Sequence, residues 1–320
     1  MSNILDIVVP CYNEEEIFPL TSSKLNEVLL DLISKKMISE KSRITFVDDG
    51  SKDNTWNLIS DLVENNSHFK GVKLTRNRGQ QHALLAGLEE AAKDADMIIT
   101  LDADLQDDIS VIGEMVKQYE NGYDIIYGVR KSRKKDRLFK KMPALLFYKL
   151  MKKMKIDLVS NHAHFRLMSN RAVKNLLAYK EKVLFLRGTI PEIGYKSTIV
   201  TYDRLERAAG ESKYPLKKLI NLAWDCIASY SEQPINIIFN LGLILFIIGT
   251  GFNIFFLVDF FVRSFSTPYL NLIILTAVWT GVGLIMVSIG VIGKYIYRIM
   301  IETKQRPLYF IEQIKEHKDK

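Results

Sequence analysis

Thr100-Leu101-Asp102-Ala103-Asp104-Leu105-Gln106-Asp107 completes an apolar run that starts at Met97-Ile98-Ile99, and Met97 to Leu101 reads as a buried strand. Two carboxylates separated by a single residue follow at its end. Side chains two apart on an extended chain share a face, so Asp102 and Asp104 converge on one small volume. Carboxylates gathered in this way repel each other unless a cation joins them. A hard divalent ion such as Mg²⁺ takes oxygen ligands of this kind and shares them with substrate phosphates. The pattern points to a metal-bound diphosphate at a strand end, although Asp-x-Asp alone also reads as an acidic turn.

Three further strand ends have the same polar character. Leu5-Asp6-Ile7-Val8-Val9-Pro10 runs into Cys11-Tyr12-Asn13-Glu14. Ile44-Thr45-Phe46-Val47 runs into Asp48-Asp49-Gly50-Ser51-Lys52-Asp53, and Gly71-Val72-Lys73-Leu74 into Thr75-Arg76-Asn77-Arg78-Gly79-Gln80. Helix-like segments lie between them at about 14–35, 53–66 and 80–94. Strands alternating with helices predict an α/β fold with a parallel sheet. Ligands of such sheets bind outside the carboxyl ends of the strands.

Val8-Val9-Pro10-Cys11-Tyr12-Asn13-Glu14, Val47-Asp48-Asp49-Gly50-Ser51, Asn77-Arg78-Gly79 and the Asp102–Asp107 stretch resemble the motifs of family 2 glycosyltransferases with a GT-A fold. Phe165-Arg166-Leu167-Met168-Ser169 and Arg207-Ala208-Ala209-Gly210-Glu211-Ser212-Lys213-Tyr214 resemble one branch of that family. The branch is the polyprenyl-phosphate glycosyltransferases, which include dolichyl-phosphate mannose synthases and bacterial undecaprenyl-phosphate sugar transferases. Gly293-Lys294-Tyr295 and Lys304-Gln305-Arg306-Pro307-Leu308-Tyr309 fit its bacterial members. The motifs keep the family's order over nearly the whole chain. The resemblance implies a Rossmann-like, mostly parallel sheet. It also implies transfer of one sugar, with inversion, from a nucleotide sugar to a polyprenyl phosphate, undecaprenyl phosphate in a bacterium.

On that reading the first strand end receives the base through backbone groups near Pro10, Tyr12 and Glu14, and Asp49 holds the nucleoside. Asp48 bonds base or ribose, or else caps the helix that follows. Arg76 and Asn77 lie where further donor contacts belong, and Ala103 sits in the donor loop. Asp104 is the direct metal ligand, for Mg²⁺ or Mn²⁺. Asp102 contacts ribose or supports the metal shell, and Gln106 touches sugar hydroxyls or the diphosphate. Arg166, Arg207, Ser212 and Lys213 are the candidates to bind the lipid phosphate, since charged side chains, Arg above all, make strong bonds to phosphate. Gly210 gives their loop backbone freedom.

One position departs from the family. Members commonly carry Asp just before the Phe/Tyr-Arg-Leu motif, often discussed as a catalytic base, and here it is His164. A phosphate monoester has its second pKa near ~6, so the nucleophile is mostly ionised at neutral pH. It needs positioning more than deprotonation. His164 either donates a hydrogen bond to that phosphate or packs as a structural residue. His162 shares its face, but no third transition-metal ligand stands nearby.

The remaining sequence has a different composition. Mean hydropathy is +0.01 although 25% of residues are charged, which suggests two materials joined in one chain. Ile235 to Val258 and Asn271 to Gly293 carry no charge, and each exceeds the ~20 residues that span a bilayer. The link Asp259 to Leu270 is short, so a C-terminal two-helix transmembrane hairpin is expected. The link holds only Arg263 as a basic residue. Lys213, Lys217 and Lys218 precede the hairpin, and Lys294, Arg298, Lys304, Arg306, Lys315, Lys318 and Lys320 follow it. That asymmetry places the catalytic domain and both termini in the cytoplasm, on a multi-pass protein of the cell membrane. No secretory leader is expected, because the N-terminus enters a strand directly. Two cysteines, Cys11 and Cys226, predict no structural disulfide in a reducing compartment.

Residues 130–155 hold twelve Lys or Arg and one acid, a local +11 in a chain of +7 overall. Leu138, Met142, Leu145, Leu146, Leu150 and Met154 recur there at helical spacing. A basic amphipathic helix of this kind lies on an anionic membrane, so lipid headgroups rather than nucleic acid are the expected partner. The expected divisions are a nucleotide-sugar-binding core (1–129), an acceptor-binding and membrane-adjacent region (130–232), the two membrane helices (233–298) and a basic tail (299–320). Resemblance to bacterial members suggests a homo-oligomer assembled through the membrane region. Two rivals are a processive polysaccharide synthase and a degenerate membrane scaffold. The first usually carries Gln-x-x-Arg-Trp, which none of Trp56, Trp224 and Trp279 completes. The second is opposed by intact Asp102, Asp104, Arg166 and Lys213.

Overall fold

Leu5–Cys11 forms a strand, β1, with all seven residues buried. A central parallel strand is covered on both faces and therefore reads as an unbroken apolar run. Its one carboxylate, Asp6, is paired with Arg43 Nε at 2.8 Å. The computed structural model describes residues 2–131, 162–179, 186–203, 240, 244 and 268–317. Along the chain, β1 is followed by α1 (Phe18–Ser34), β2 (Arg43–Asp48), α2 (Thr55–Asn65), β3 (Phe69–Leu74), α3 (Gln80–Ala91) and β4 (Met97–Thr100). Then come α4 (Ile112–Glu120), β5 (Ile125–Arg130), β6 (His162–Ser169), α5 (Asn170–Ala178), α6 (Leu186–Glu192) and β7 (Ser197–Tyr202). The last elements are α7 (Pro268–Thr303) and β8 (Ile311–Glu316).

The eight strands form one sheet in the order β7-β5-β6-β4-β1-β2-β3-β8. Only β6 and β8 run against the rest, so the expected mostly parallel α/β sheet is present. Successive residues of the central strands serve opposite faces. Ile7, Val9, Phe46 and Ile99 pack with Leu25 and Leu29 of α1 and Ile112 and Met115 of α4. Val8, Val47, Val72 and Ile98 pack with Leu84 and Leu88 of α3 and Ala172 and Leu176 of α5. α3 lies unusually close to the sheet at Gly87, where a Cβ would stand 2.4 Å from Val8 Cγ1 and 2.7 Å from Val47 Cγ2.

The expected basic tail, 299–320, contains a strand that the sequence did not predict. α7 runs on through Thr303, and Ile311–Glu316 then adds to the sheet as β8, antiparallel to β3. Charge pairs hold it. Glu316 meets Lys70 at 2.7 Å and Glu312 meets Lys73 at 3.1 Å, while Lys315 engages Glu64 and Ser60. Tyr309 donates its hydroxyl to Glu89 of α3.

The described residues fall into two compact units, one reaching residue 203 and resuming at 306, the other ending at 305. The second contains α7, which shows exposed apolar side chains at Ile274, Val278, Ile285, Ile289 and Ile292. Among the described residues, no helix is long and apolar enough to cross a membrane. The first expected span, apart from Asn240 and Ile244, lies outside the described residues, as does the basic segment from 132 to 155.

Candidate active site

The carboxyl ends of β1 to β4 bring the four expected loops to one edge of the sheet, and hydrogen bonds lace them together. Asn13, at φ 53°, accepts from the Lys52 amide through Oδ1 at 2.8 Å and donates its own amide to Ser51 Oγ at 3.0 Å. The Glu14 amide donates to Thr55 Oγ1 at 2.9 Å. Gly50, at φ 66°, lets the second loop press on the third. A Cβ there would stand 2.6 Å from both the Arg76 carbonyl carbon and the Asn77 nitrogen. Pro10 is buried, Tyr12 half-buried, and Arg76 and Asn77 stand exposed at the rim.

The two neighbouring aspartates do different work. Asp49 accepts the amides of Arg78 at 2.7 Å and Gly79 at 2.8 Å, which fixes the turn into α3. Asp48 accepts the Ser51 amide at 3.2 Å. The start of α2 is held instead by Asp53, which accepts from the Thr55 amide at 3.1 Å. Burial pushes both the Asp48 and Asp49 carboxyls above the usual range, and their hydrogen bonds to Ser51 and to Arg78 and Gly79 oppose that shift.

Beyond β4 burial alternates along a turn. Leu101, Ala103, Leu105 and Asp107 are buried, while Asp102, Asp104 and Gln106 are partly exposed. Thr21 of α1 donates its hydroxyl to the Ala103 carbonyl at 2.8 Å. Gln80, the first residue of α3, donates Nε2 to Asp102 Oδ1 at 2.5 Å. Leu105 takes φ 50°, a left-handed backbone that costs a branched residue about 1–3 kcal/mol. Asp104 Oδ1 accepts the Gln106 amide at 3.3 Å.

β6 enters antiparallel beside β4 and brings in the acceptor candidates. Its register sets Arg166 opposite Thr100, the last residue of β4. Thr100 donates its hydroxyl to the His164 carbonyl at 2.5 Å, so His164 comes level with the Asp102 loop. Arg166 is 2% exposed, a deeper position than a surface phosphate site requires. Asp102, Asp104 and Gln106 follow the end of β4, His164 and Arg166 lie on the neighbouring β6, and Asp49 follows β2, two strands away in the sheet. Arg207, Ser212 and Lys213 lie outside the described residues.

Among the described residues, no group of three or more His, Cys, Asp or Glu side chains is arranged to hold a metal. Asp102 and Asp104 supply hard oxygen ligands on one open side. That donor set fits Mg²⁺ or Mn²⁺ completing its shell with diphosphate oxygens and water. Thr21, Gln80 and the Asp53 cap were not legible as site residues. The partners of Thr21 and Gln80 lie 82 and 22 residues away, and only Gln80, adjoining the Asn77-Arg78-Gly79 motif, carried a signal.

Comparison with known proteins agrees with this geometry. The family model described as Glycosyl transferase family 2 matches residues 6–177. The chain is 48% identical over 309 residues to the uncharacterized glycosyltransferase YkoT of Bacillus subtilis, covering 97% of this chain and 91% of that one. It is 35% identical over 313 residues to the prophage bactoprenol glucosyl transferase homolog of Escherichia coli, covering 98% and 99%. It is 35% identical over 316 residues to the bactoprenol glucosyl transferase of Shigella phage SfV, again covering 98% and 99%. The matched region takes in all four strand-end loops, the Asp102–Asp104 pair and the strand carrying Arg166, and the relatives extend the match along the chain, which therefore belongs to glycosyl transferase family 2 with a GT-A type α/β fold.

Proposed function

We propose that the protein transfers a single sugar from a nucleotide sugar to a polyprenyl phosphate at the cytoplasmic face of the cell membrane, inverting the anomeric carbon. The observation that carries this reading is the β4–β6 register, which sets buried Arg166 opposite Thr100, two residues before Asp102. The names of two full-length relatives, both bactoprenol glucosyl transferases, favour undecaprenyl phosphate as acceptor and UDP-glucose as donor. UDP-N-acetylglucosamine comes next, with GDP-mannose the runner-up.

Asp104, with Asp102 in support, would hold Mg²⁺ or Mn²⁺, which neutralises the donor diphosphate and stabilises the leaving nucleoside diphosphate. Gln80 keeps Asp102 turned toward that position. Arg166 orients the acceptor phosphate with charge-assisted hydrogen bonds. An ionised phosphate oxygen then attacks the anomeric carbon as the nucleoside diphosphate departs. No proton has to leave the nucleophile, so His164 serves as a positioning group. Arg207, Ser212 and Lys213 complete the phosphate grip by resemblance. The uncharged stretches 235–258 and 271–293 of the sequence support a membrane anchor, and the Lys and Arg distribution supports cytoplasmic termini.

Full-length protein in detergent, given undecaprenyl phosphate and each radiolabelled donor with Mg²⁺, tests the reading. Label should enter a lipid-linked monosaccharide from UDP-glucose above the others. A labelled polymer, or no labelled lipid from any donor with folded protein, would overturn it.

A further inference from the structure

Asp107 closes the loop that opens with Asp102, and it lies on the buried side, with 1% of its side chain exposed. Its Oδ1 accepts from Arg130 Nη2 at 2.8 Å, from Arg130 Nε at 3.3 Å and from the Tyr202 hydroxyl at 2.5 Å. Oδ2 is buried and has no hydrogen-bond partner among the described residues. A carboxylate so placed serves the protein rather than the solvent.

The two partners come from the ends of neighbouring strands. Arg130 is the last residue of β5 and Tyr202 the last of β7, and the parallel register sets them opposite each other. Past Arg130 begins the basic membrane-adjacent segment, and past Tyr202 the Arg207–Lys213 loop. Asp107 therefore joins the donor loop to the roots of both segments that the sequence assigns to the acceptor. Burial alone would lower the pKa of Arg130, but the Asp107 carboxylate beside it holds that pKa above its ordinary value. Burial and then the Asp107 charge push the Tyr202 phenol up, so it keeps the proton it donates.

At its near end the loop is tied by Gln80 to Asp102 and by Thr21 to Ala103. Between these ties and Asp107 stand Asp104 and the strained Leu105. A residue at positive φ persists only where its surroundings over-determine it. We infer that Asp107, held by Arg130 and Tyr202, is the positioning residue of the metal-binding loop, keeping Leu105 in its left-handed conformation and so aiming Asp104 and Gln106 at the donor diphosphate, an inference resting on the metal role proposed above. An inert core network would stabilise the protein equally well and leave metal binding untouched.

Full-length enzyme in detergent separates the two. Mn²⁺ binding with UDP is followed by electron paramagnetic resonance, together with thermal melting and the KM of donor and acceptor. Asp107→Asn keeps the shape and removes the charge. It should weaken Mn²⁺ binding by about tenfold and raise the donor KM in parallel, with the acceptor KM changed less. Tyr202→Phe removes one hydroxyl and should shift the same two quantities by about twofold to fivefold. Wild-type Mn²⁺ affinity and donor KM in folded Asp107→Asn would overturn the inference. Should that variant fail to fold, wild-type values in Tyr202→Phe overturn it instead. Wild-type protein that binds Mn²⁺ and UDP but passes no sugar to lipid phosphate would sink the proposed function, while these binding shifts would still decide the role of Asp107.

Discussion

Asp104 stands on the open side of its loop, three residues from a carboxylate on the closed side, and the two should answer mutation differently. Asp104→Asn keeps the size and removes the charge that would face the diphosphate. Turnover should fall by orders of magnitude with folding intact, and chelation of the wild type should match it, reversed by Mg²⁺ or Mn²⁺. Full turnover in chelator would rule the metal role out. His164 and Arg166 give a second contrast. His164→Ala should lower the acceptor-dependent rate moderately, because an ionised phosphate needs no base. Arg166→Ala should cost more, since it removes a charged donor that is 2% exposed. Nucleotide affinity should hold in both variants; complete inactivity of a folded His164→Ala that binds both substrates would restore an acid–base role. Asp102, Asp104 and Arg166 could be proposed from sequence because each sits inside a short local motif, and His164 because it departs from the family pattern beside one. The bonds of Asp49 to Arg78 and Gly79, 29 and 30 residues away, and of Asp107 to Tyr202, 95 residues away, could not. Such partners meet only after the sheet is assembled.

Among the elements, β1 to β4 were legible because each carries a short, mostly apolar run of the kind that strands buried on both faces show. The helix between β1 and β2 starts at Phe18 rather than near 14, since Glu14 to Ile17 make a turn in which the Glu14 carbonyl accepts the Ile17 and Phe18 amides. β8 was illegible. Ile311-Glu312-Gln313-Ile314-Lys315-Glu316 has its two apolar residues three apart, without the alternation of a half-buried strand. It is an edge strand fastened by ion pairs, and no local pattern announces which edge it meets. The seat of α3 yields a prediction at this scale. Gly87→Ala would gain about 1 kcal/mol of helix propensity. It would also drive a methyl into Val8 and Val47, stiff side chains on central strands. Overpacking should win, leaving the protein less stable by about 1–3 kcal/mol, read as a lower urea midpoint with unchanged slope. A midpoint at or above the wild-type value would mean that α3 moves off the sheet freely.

For the whole molecule, the Lys and Arg asymmetry predicts that only the link between the two uncharged segments faces outward. A Cys placed at Ser266 should react with an impermeant thiol reagent in intact cells, and one placed at Ser2 should not. The reverse pattern would overturn the orientation and the cytoplasmic supply of donor. The docking of β8 adds a constraint that depends on no charge count. Tyr202 and Ile311 belong to strands of a single sheet, so the chain between them must depart from and come back to the same side of any membrane it enters. Its crossings therefore obey a parity rule: two, or none, never one. Were both uncharged segments to cross, deleting either alone would leave an odd count, and β8 would be marooned across the bilayer from the β3 edge it closes.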